Sequence, residues 1–313
     1  MTMIVNEIKL YKDREDVTLT TYITADKGEL HALGKRPAIL ICPGGAYLSC
    51  SDREAEPIAL RFAAMGYHAF VLRYSTYQEG RNEFPDFTKK ILPKAHCQHP
   101  APVREIGKAM LIIRENAKEW QVDTNRIAVC GFSAGAHNTA MYATHWNRAL
   151  MTEYYGKAAK EFRPAAVILG YTLSDYMYMH EAMQGEEQRA FFEFSNIAYL
   201  GEAKPSKEKQ KEVSPCMHVT ADTPPVFIWA TASDELVPVQ HSIRMAHALA
   251  DQKVPFEIHI FEKGMHGLST ATQASALAKS QISRDVEKWM GLAEKWLEKR
   301  FALDLPEKMH FEM

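Results

Sequence analysis

Several things are scarce in this sequence, and each shortage removes a class of protein. Cysteine occurs five times in 313 residues (Cys42, Cys50, Cys97, Cys130, Cys216). The set is odd, scattered and without a CxxC pair, which argues against a disulfide framework or a zinc ribbon and fits a reducing cytoplasm. Excess charge of one sign is missing too. With 37 basic and 39 acidic residues the formal net charge is −2, so nothing calls for nucleic acid or an anionic membrane surface as partner. No apolar run is long enough to span a bilayer, and Met1–Leu10 lacks the basic and apolar regions of a signal peptide. Repeats, low-complexity linkers and a clear domain boundary are also lacking. The chain therefore reads as one cytoplasmic domain, 1–313, with no membrane or nucleic-acid partner and with room for a homo-oligomer.

What is present is alternation. Hydrophobic residues are 46% of the chain, ample for a core. Strand-like runs at Ile4–Tyr11, Val17–Thr24, Ala38–Cys42, His68–Arg73, Ile127–Cys130, Ala165–Leu169, Val226–Ala230 and Phe256–Phe261 alternate with helical segments. Ser51 and Glu54 have capping-box spacing for a helix ending near Gly66, and Pro102 opens another helix. Further helices are expected over Ala134–Trp146, over Val239–Ala250 and from about Gln273 to Lys299. The pattern predicts an α/β fold, a mostly parallel sheet with helices on both faces. A long irregular connection, 77–100, and a cap-like helical insertion, 171–223, interrupt it.

The chemistry begins at Gly131-Phe132-Ser133-Ala134-Gly135. A strand running into GxSxG and then a helix is a nucleophile elbow, which presents the serine hydroxyl above the sheet. Serine needs a base and an orienting acid, and in such sheets these follow in the order acid, then histidine. Asp234 lies just past the Val226–Ala230 strand, with Glu235 as the rival carboxylate. His266 lies in the glycine-flanked loop after the last strand. Cys42-Pro43-Gly44-Gly45-Ala46-Tyr47 follows an early strand. It makes the amides of Gly45 and Ala46, with that of Ala134, candidates for an oxyanion hole. Tyr47, on that loop, and His137, one turn past Ser133, are candidate substrate-binding residues. The run Tyr176–His180 is read first as packing of the insertion. His96-Cys97-Gln98-His99 has no second ligand cluster, so no metal is expected; Cys130 reads as a buried strand residue.

These motifs, in this order from about Pro37 to His266, resemble the α/β-hydrolase esterases related to acetyl xylan esterases and to the hormone-sensitive-lipase-like carboxylesterases. Pro43-Gly44-Gly45-Ala46 departs from the His-Gly-Gly-Gly of the lipase-like group and is closer to the Pro-Gly-Gly-Gly-Tyr of the acetyl-esterase branch. The glycine that usually follows the elbow is Ala136 here. The resemblance implies a cofactor-free serine esterase with Ser133 as nucleophile, His266 as base and Asp234 as acid. Its substrate would be a small ester with a short, acetyl-type acyl group, with acetylated sugars as natural candidates. The alternatives are a peptidase or amidase of the same fold, and a catalytically silent binding protein, whose mark would be a missing triad member.

Overall fold

The computed structural model describes residues 2–25, 34–183, 185–305 and 307–308. Its centre is a sheet of strand order β1-β3-β5-β4-β6-β7-β8-β9, with β2 pairing β3. The strands are β1 (Thr2–Ile4), β2 (Glu7–Tyr11), β3 (Arg14–Ala25), β4 (Arg36–Cys42), β5 (His68–Arg73), β6 (Val122–Phe132), β7 (Ala166–Gly170), β8 (Val226–Thr231) and β9 (Phe256–Phe261). From β5 to β9 the neighbours are parallel, while β1, β2 and β5 all run antiparallel to β3.

The expected strand Ile4–Tyr11 is two strands. At the break the Asn6 amide donates to the Thr21 hydroxyl at 3.0 Å and Thr21 N–H donates to the Asn6 carbonyl, so one side-chain and one backbone bond across to β3 stand between the two short strands.

The apolar runs are buried on both faces because the pleat sends alternate residues opposite ways. On β4, Ala38, Leu40 and Cys42 pack with Val103, Ile106 and Met110 of α2 (Ala101–Glu115). Ile39 and Ile41 pack instead with Ile58 and Phe62 of α1 (Glu56–Ala64) and with Trp289 and Trp296 of α9 (Trp289–Phe301). Val226 and Ile228 of β8 meet Met245 and Leu249 of α8 (Gln240–Asp251). Trp289 stacks on Trp229 at 4.8 Å with both rings fully buried; truncating either to Ala costs about 3–5 kcal/mol.

The expected C-terminal helix is half as long as the spacing suggested. Only Trp289–Phe301 is α-helical; before it come short 3-10 turns at Lys279–Gln281 and Val286–Lys288. The hydroxyls of Thr270 and Ser275 bond each other at 2.7 Å, and Ser275 Oγ also accepts the Thr270 amide. Such local bonds hold the backbone out of a helix.

Between β7 and β8 lie α5 (Tyr176–Ala182), α6 (Gly185–Leu200) and α7 (Lys207–Glu212). Ser195 of α6 donates to the Ala46 carbonyl at 2.9 Å, which sets α6 against the loop after β4. Among the described residues no helix is long and apolar enough to cross a membrane.

Candidate active site

β6 ends at Phe132 and α3 (Ala134–His145) begins one residue later, so Ser133 carries the whole reversal. Its backbone has φ 52° and ψ −122°, a region L-residues rarely occupy. The turn is pinned by Ser133 N–H donating to the Gly170 carbonyl of β7 at 3.0 Å. A Cβ on Gly135 would overlap the carbonyls of Cys42 and Pro43, and one on Gly131 would overlap the Gly135 carbonyl. Both glycines are thus required by close approach of strand and helix. The N-terminus of α3, with its free amides and positive dipole end, meets the serine.

Asp234 and His266 come from the loops after β8 and β9. Asp234 is buried; Oδ1 accepts the amides of Leu236 (3.0 Å) and Val237 (2.9 Å), and Oδ2 accepts from His266 Nδ1 at 2.7 Å. His266 Nε2 stands 2.8 Å from Ser133 Oγ. With Nδ1–H directed to the carboxylate, Nε2 is the free lone pair facing the hydroxyl. The two loops are tied by Thr231 Oγ1 donating to the Gly264 carbonyl at 2.8 Å and by Gly264 N–H donating to Ser233 Oγ at 2.9 Å. Glu235 is exposed beside this chain of bonds, and its carbonyl accepts from the Gln188 amide.

The loop after β4 turns through three residues with positive φ, Gly45 (134°), Ala46 (55°) and Tyr47 (59°). At Gly45 a side chain would overlap the Ser49 carbonyl. Among the described residues no acceptor takes the N–H of Gly45, Ala46 or Ala134, and all three residues line one cavity with Ser133 and His266. The cavity holds about 280 Å³, and its walls are mostly apolar, including Leu173, Tyr176, Phe191, Phe192 and Val237.

Tyr47 and His137 sit in the same wall, bonded to each other. Tyr47 OH meets His137 Nδ1 at 2.5 Å, and His137 Nε2 meets the Val213 carbonyl at 2.8 Å. A carbonyl can only accept, so Nε2 carries the proton and Nδ1 accepts from tyrosine. Burial holds the His137 imidazole neutral, down to about 3. Tyr47 also stacks on Tyr199 at 3.9 Å.

Beside the site the structure corrects the reading of Ser51 and Glu54. Ser51 makes no cap; Asp52–Glu54 is a 3-10 turn and α1 starts at Glu56. Glu54 points inward, where Oε2 accepts the Gly44 amide at 2.7 Å and Oε1 accepts from Tyr171 OH at 2.5 Å. Tyr171 OH in turn accepts the Ser269 amide at 3.1 Å, and its ring meets the His266 ring edge-on at 5.0 Å. One buried carboxylate thus links the loop after β4 to the histidine loop. Nothing in the Ser51–Glu54 spacing distinguishes this role from a cap; the only hint is that the acid directly precedes the buried face of α1.

The histidines of the 96–99 run part company: His96 pairs with Glu79 at 2.9 Å and His99 Nδ1 meets Tyr199 OH at 2.9 Å. Among the described residues no three His, Cys, Asp or Glu side chains group as metal ligands. Cys130 is fully buried, its thiol pushed well up by burial. Tyr176 lines the cavity while Met179 packs in the core, so the Tyr176–His180 run serves both purposes.

The model of the BD-FAE family matches residues 31–249. Endo-1,4-beta-xylanase B of Butyrivibrio fibrisolvens is 33% identical over 76% of this chain and 33% of its own length. The chain spans about a third to a half of the length of the curated relatives it matches. Among solved structures, an α/β hydrolase enzyme from a Medee basin deep-sea metagenome library is 32% identical with a TM-score of 0.70, covering 96% of this chain and 99% of that one. An acetyl ester-xyloside bifunctional hydrolase from Caldicellulosiruptor lactoaceticus is 28% identical with a TM-score of 0.72, over 94% and 96% of the two chains.

Proposed function

The chain belongs to the BD-FAE family of α/β hydrolases, and on that premise we propose that it is a serine carboxylesterase for small, acetyl-type esters, acetylated sugars among them. The observation that carries this reading is the bonded series Ser133 Oγ, His266 and Asp234, at 2.8 and 2.7 Å, opening on the cavity.

In this reading Ser133 Oγ attacks the ester carbonyl while its proton passes to His266 Nε2. The carbonyl oxygen takes the negative charge and is held by the N–H groups of Gly45, Ala46 and Ala134. Asp234 keeps the imidazole in the needed tautomer and stabilises its charged form. Collapse breaks the bond to the alcohol oxygen, which receives the proton from His266. Water then repeats the sequence on the acyl-enzyme and releases the acid. The residues themselves supply nucleophile, base and charge stabilisation, so the reading names no cofactor or metal. We assign the activity to the cytoplasm on the strength of five unpaired cysteines.

The acetyl-type preference is supported by the Pro43–Tyr47 loop, by the activity in the name of the Caldicellulosiruptor neighbour, and by a cavity slightly below the usual ligand-pocket range of about 300–1,000 Å³. The apolar walls pull the other way. Each methylene buried in them adds about 0.8 kcal/mol, close to fourfold in specificity. A panel of 4-nitrophenyl esters from acetyl to octanoyl, run beside acetylated xylo-oligosaccharides, tests the reading. Specificity constants should peak between acetyl and butyryl; a steady climb to octanoyl removes the short-acyl preference. Turnover of nitrophenyl acetate with none of the acetylated sugars removes the carbohydrate and keeps the esterase.

A further inference from the structure

Arg53 stands in the wall of the cavity that holds Ser133 and His266, and neither the relay nor the amides explain it. Its backbone is fixed by Ser269 Oγ, which donates to the Arg53 carbonyl at 2.5 Å. Its side chain is held at one point, where Nε donates to the Ser275 carbonyl at 2.5 Å. That contact orients the guanidinium plane and leaves Nη1 and Nη2 without an acceptor among the described residues. Nη2 is buried as well as unpartnered. Nη1 lies 3.9 Å from where a Cβ on Gly267 would stand, which places it beside the residue that follows His266.

No described carboxylate serves as counter-ion. The neighbouring Glu54 has both oxygens committed, to Gly44 N–H and to Tyr171 OH. Asp52 and Glu56 are drawn to Arg73. A cation with buried, unsatisfied donors is costly unless an acceptor arrives. Nη2 is enclosed by protein, so Nη1, on the side of Gly267 and His266, is the donor left for an acceptor entering the cavity, and a charged N–H finds its strongest partner in a carboxylate oxygen.

Resting on the serine-esterase reading above, the geometry points to Arg53 as a carboxylate subsite. The preferred ester carries a carboxylate on one of its halves, as in an acylated sugar acid or the half-ester of a dicarboxylic acid. Glutamine at 53 removes the charge and lysine keeps it without the fork.

Two matched pairs of esters decide the point: 4-acetoxybenzoate against phenyl acetate, for a carboxylate on the alcohol half, and monoethyl succinate against ethyl butyrate, for one on the acyl half. For each pair the ratio of kcat/KM, anionic over neutral, is compared between wild type, Arg53→Lys and Arg53→Gln. In one pair the ratio should fall about tenfold or more in Arg53→Gln, with Arg53→Lys between, and the pair that responds identifies the half. Ratios unchanged in both pairs overturn the subsite. If Arg53→Gln does not fold, the lysine ratio decides together with benzoate and succinate as inhibitors of phenyl acetate hydrolysis by wild type. At least one should raise KM without lowering kcat, and no effect of either anion overturns the proposal. Failure of the esterase reading itself looks different: wild type would then turn over the neutral member of neither pair faster than Ser133→Ala.

Discussion

Two histidines face the same cavity, His266 and His137, and each has both ring nitrogens engaged, yet their surroundings suit them to opposite work. His266 lies between a hydroxyl and a carboxylate on a loop that reaches solvent, its side chain 14% exposed. His137 lies between a phenol and a backbone carbonyl on a buried helix. A carboxylate stabilises the imidazolium that forms when a base takes a proton; a carbonyl in a desolvated site does so far less well. His137 therefore stays neutral and works as a strut for Tyr47, on the loop of candidate oxyanion donors. Two bonded nitrogens do not make a general base: partner charge and hydration decide.

The largest expected effect comes from the first member of the pair. His266→Ala and Asp234→Asn should each lower kcat for 4-nitrophenyl acetate by about four orders of magnitude, since each removes the proposed base or its tautomer. His137→Ala should cost roughly tenfold and lower the melting temperature by several degrees, because it unsatisfies a buried phenol without touching the relay. Equal losses at His137 and His266, at equal folded fraction, would erase the distinction.

A middle-sized effect is expected at Glu54. Replacing it with Gln turns one of two acceptor oxygens into a donor, leaving either the Gly44 amide or the Tyr171 hydroxyl unmatched. The loop of candidate oxyanion donors should loosen, and kcat should drop about ten- to a hundredfold with KM nearly kept. Glu235→Gln, exposed and outside the relay, should change kcat less than twofold. If the glutamine at 235 were the damaging one, the orienting acid would have to be reassigned.

The smallest effect sharpens the comparison through stability. His137 belongs to a set of buried or largely buried histidines held neutral by desolvation, His68 and His99 at about 4 and His145 and His241, like His137, at about 3. Each folded value lies below the unfolded value of about 6.5, so the unfolded chain binds more protons. Their stability is present above about pH 6.5 and is lost as pH falls toward 4. Each can contribute up to about 1.4 kcal/mol per pH unit in that window. Glu105 runs the other way. Burial lifts it to about 7 against the hydrogen bonds from Ser75, so the stability it contributes is complete below about pH 4.5 and gone above 7. Urea midpoints should therefore fall steeply from pH 6.5 to 5, and Glu105→Gln should gain on wild type as pH rises to 8. A flat midpoint over that acid range would contradict the neutral-histidine account.

How much of this could be read from the sequence divides along the same line. Ser133, Asp234 and His266 stand out because parallel sheets present residues at strand ends, and strand ends are visible as apolar runs followed by glycine or polar residues. The mostly parallel sheet and its two-sided burial follow from the same runs, whereas the strand order came only with the structure. Glu54 was hidden, since a cap and a buried crosslink ask for the same residue at the same spacing and only tertiary packing separates them. The segment before α9 was hidden for a related reason: helical composition cannot show that Thr270 and Ser275 spend their hydroxyls on each other. Arg53 carries no spacing signal at all, and its unpaired fork emerges only once Ser275, more than two hundred residues away, is folded beside it.

The most direct test of the central claim is covalent. Wild-type protein treated with a fluorophosphonate and mapped by peptide mass spectrometry should carry a single adduct, on Ser133. Labelling should vanish in Ser133→Ala, slow by orders of magnitude in His266→Ala and persist at near wild-type rate in His137→Ala. An adduct on another residue, or undiminished labelling of Ser133→Ala, would contradict the account.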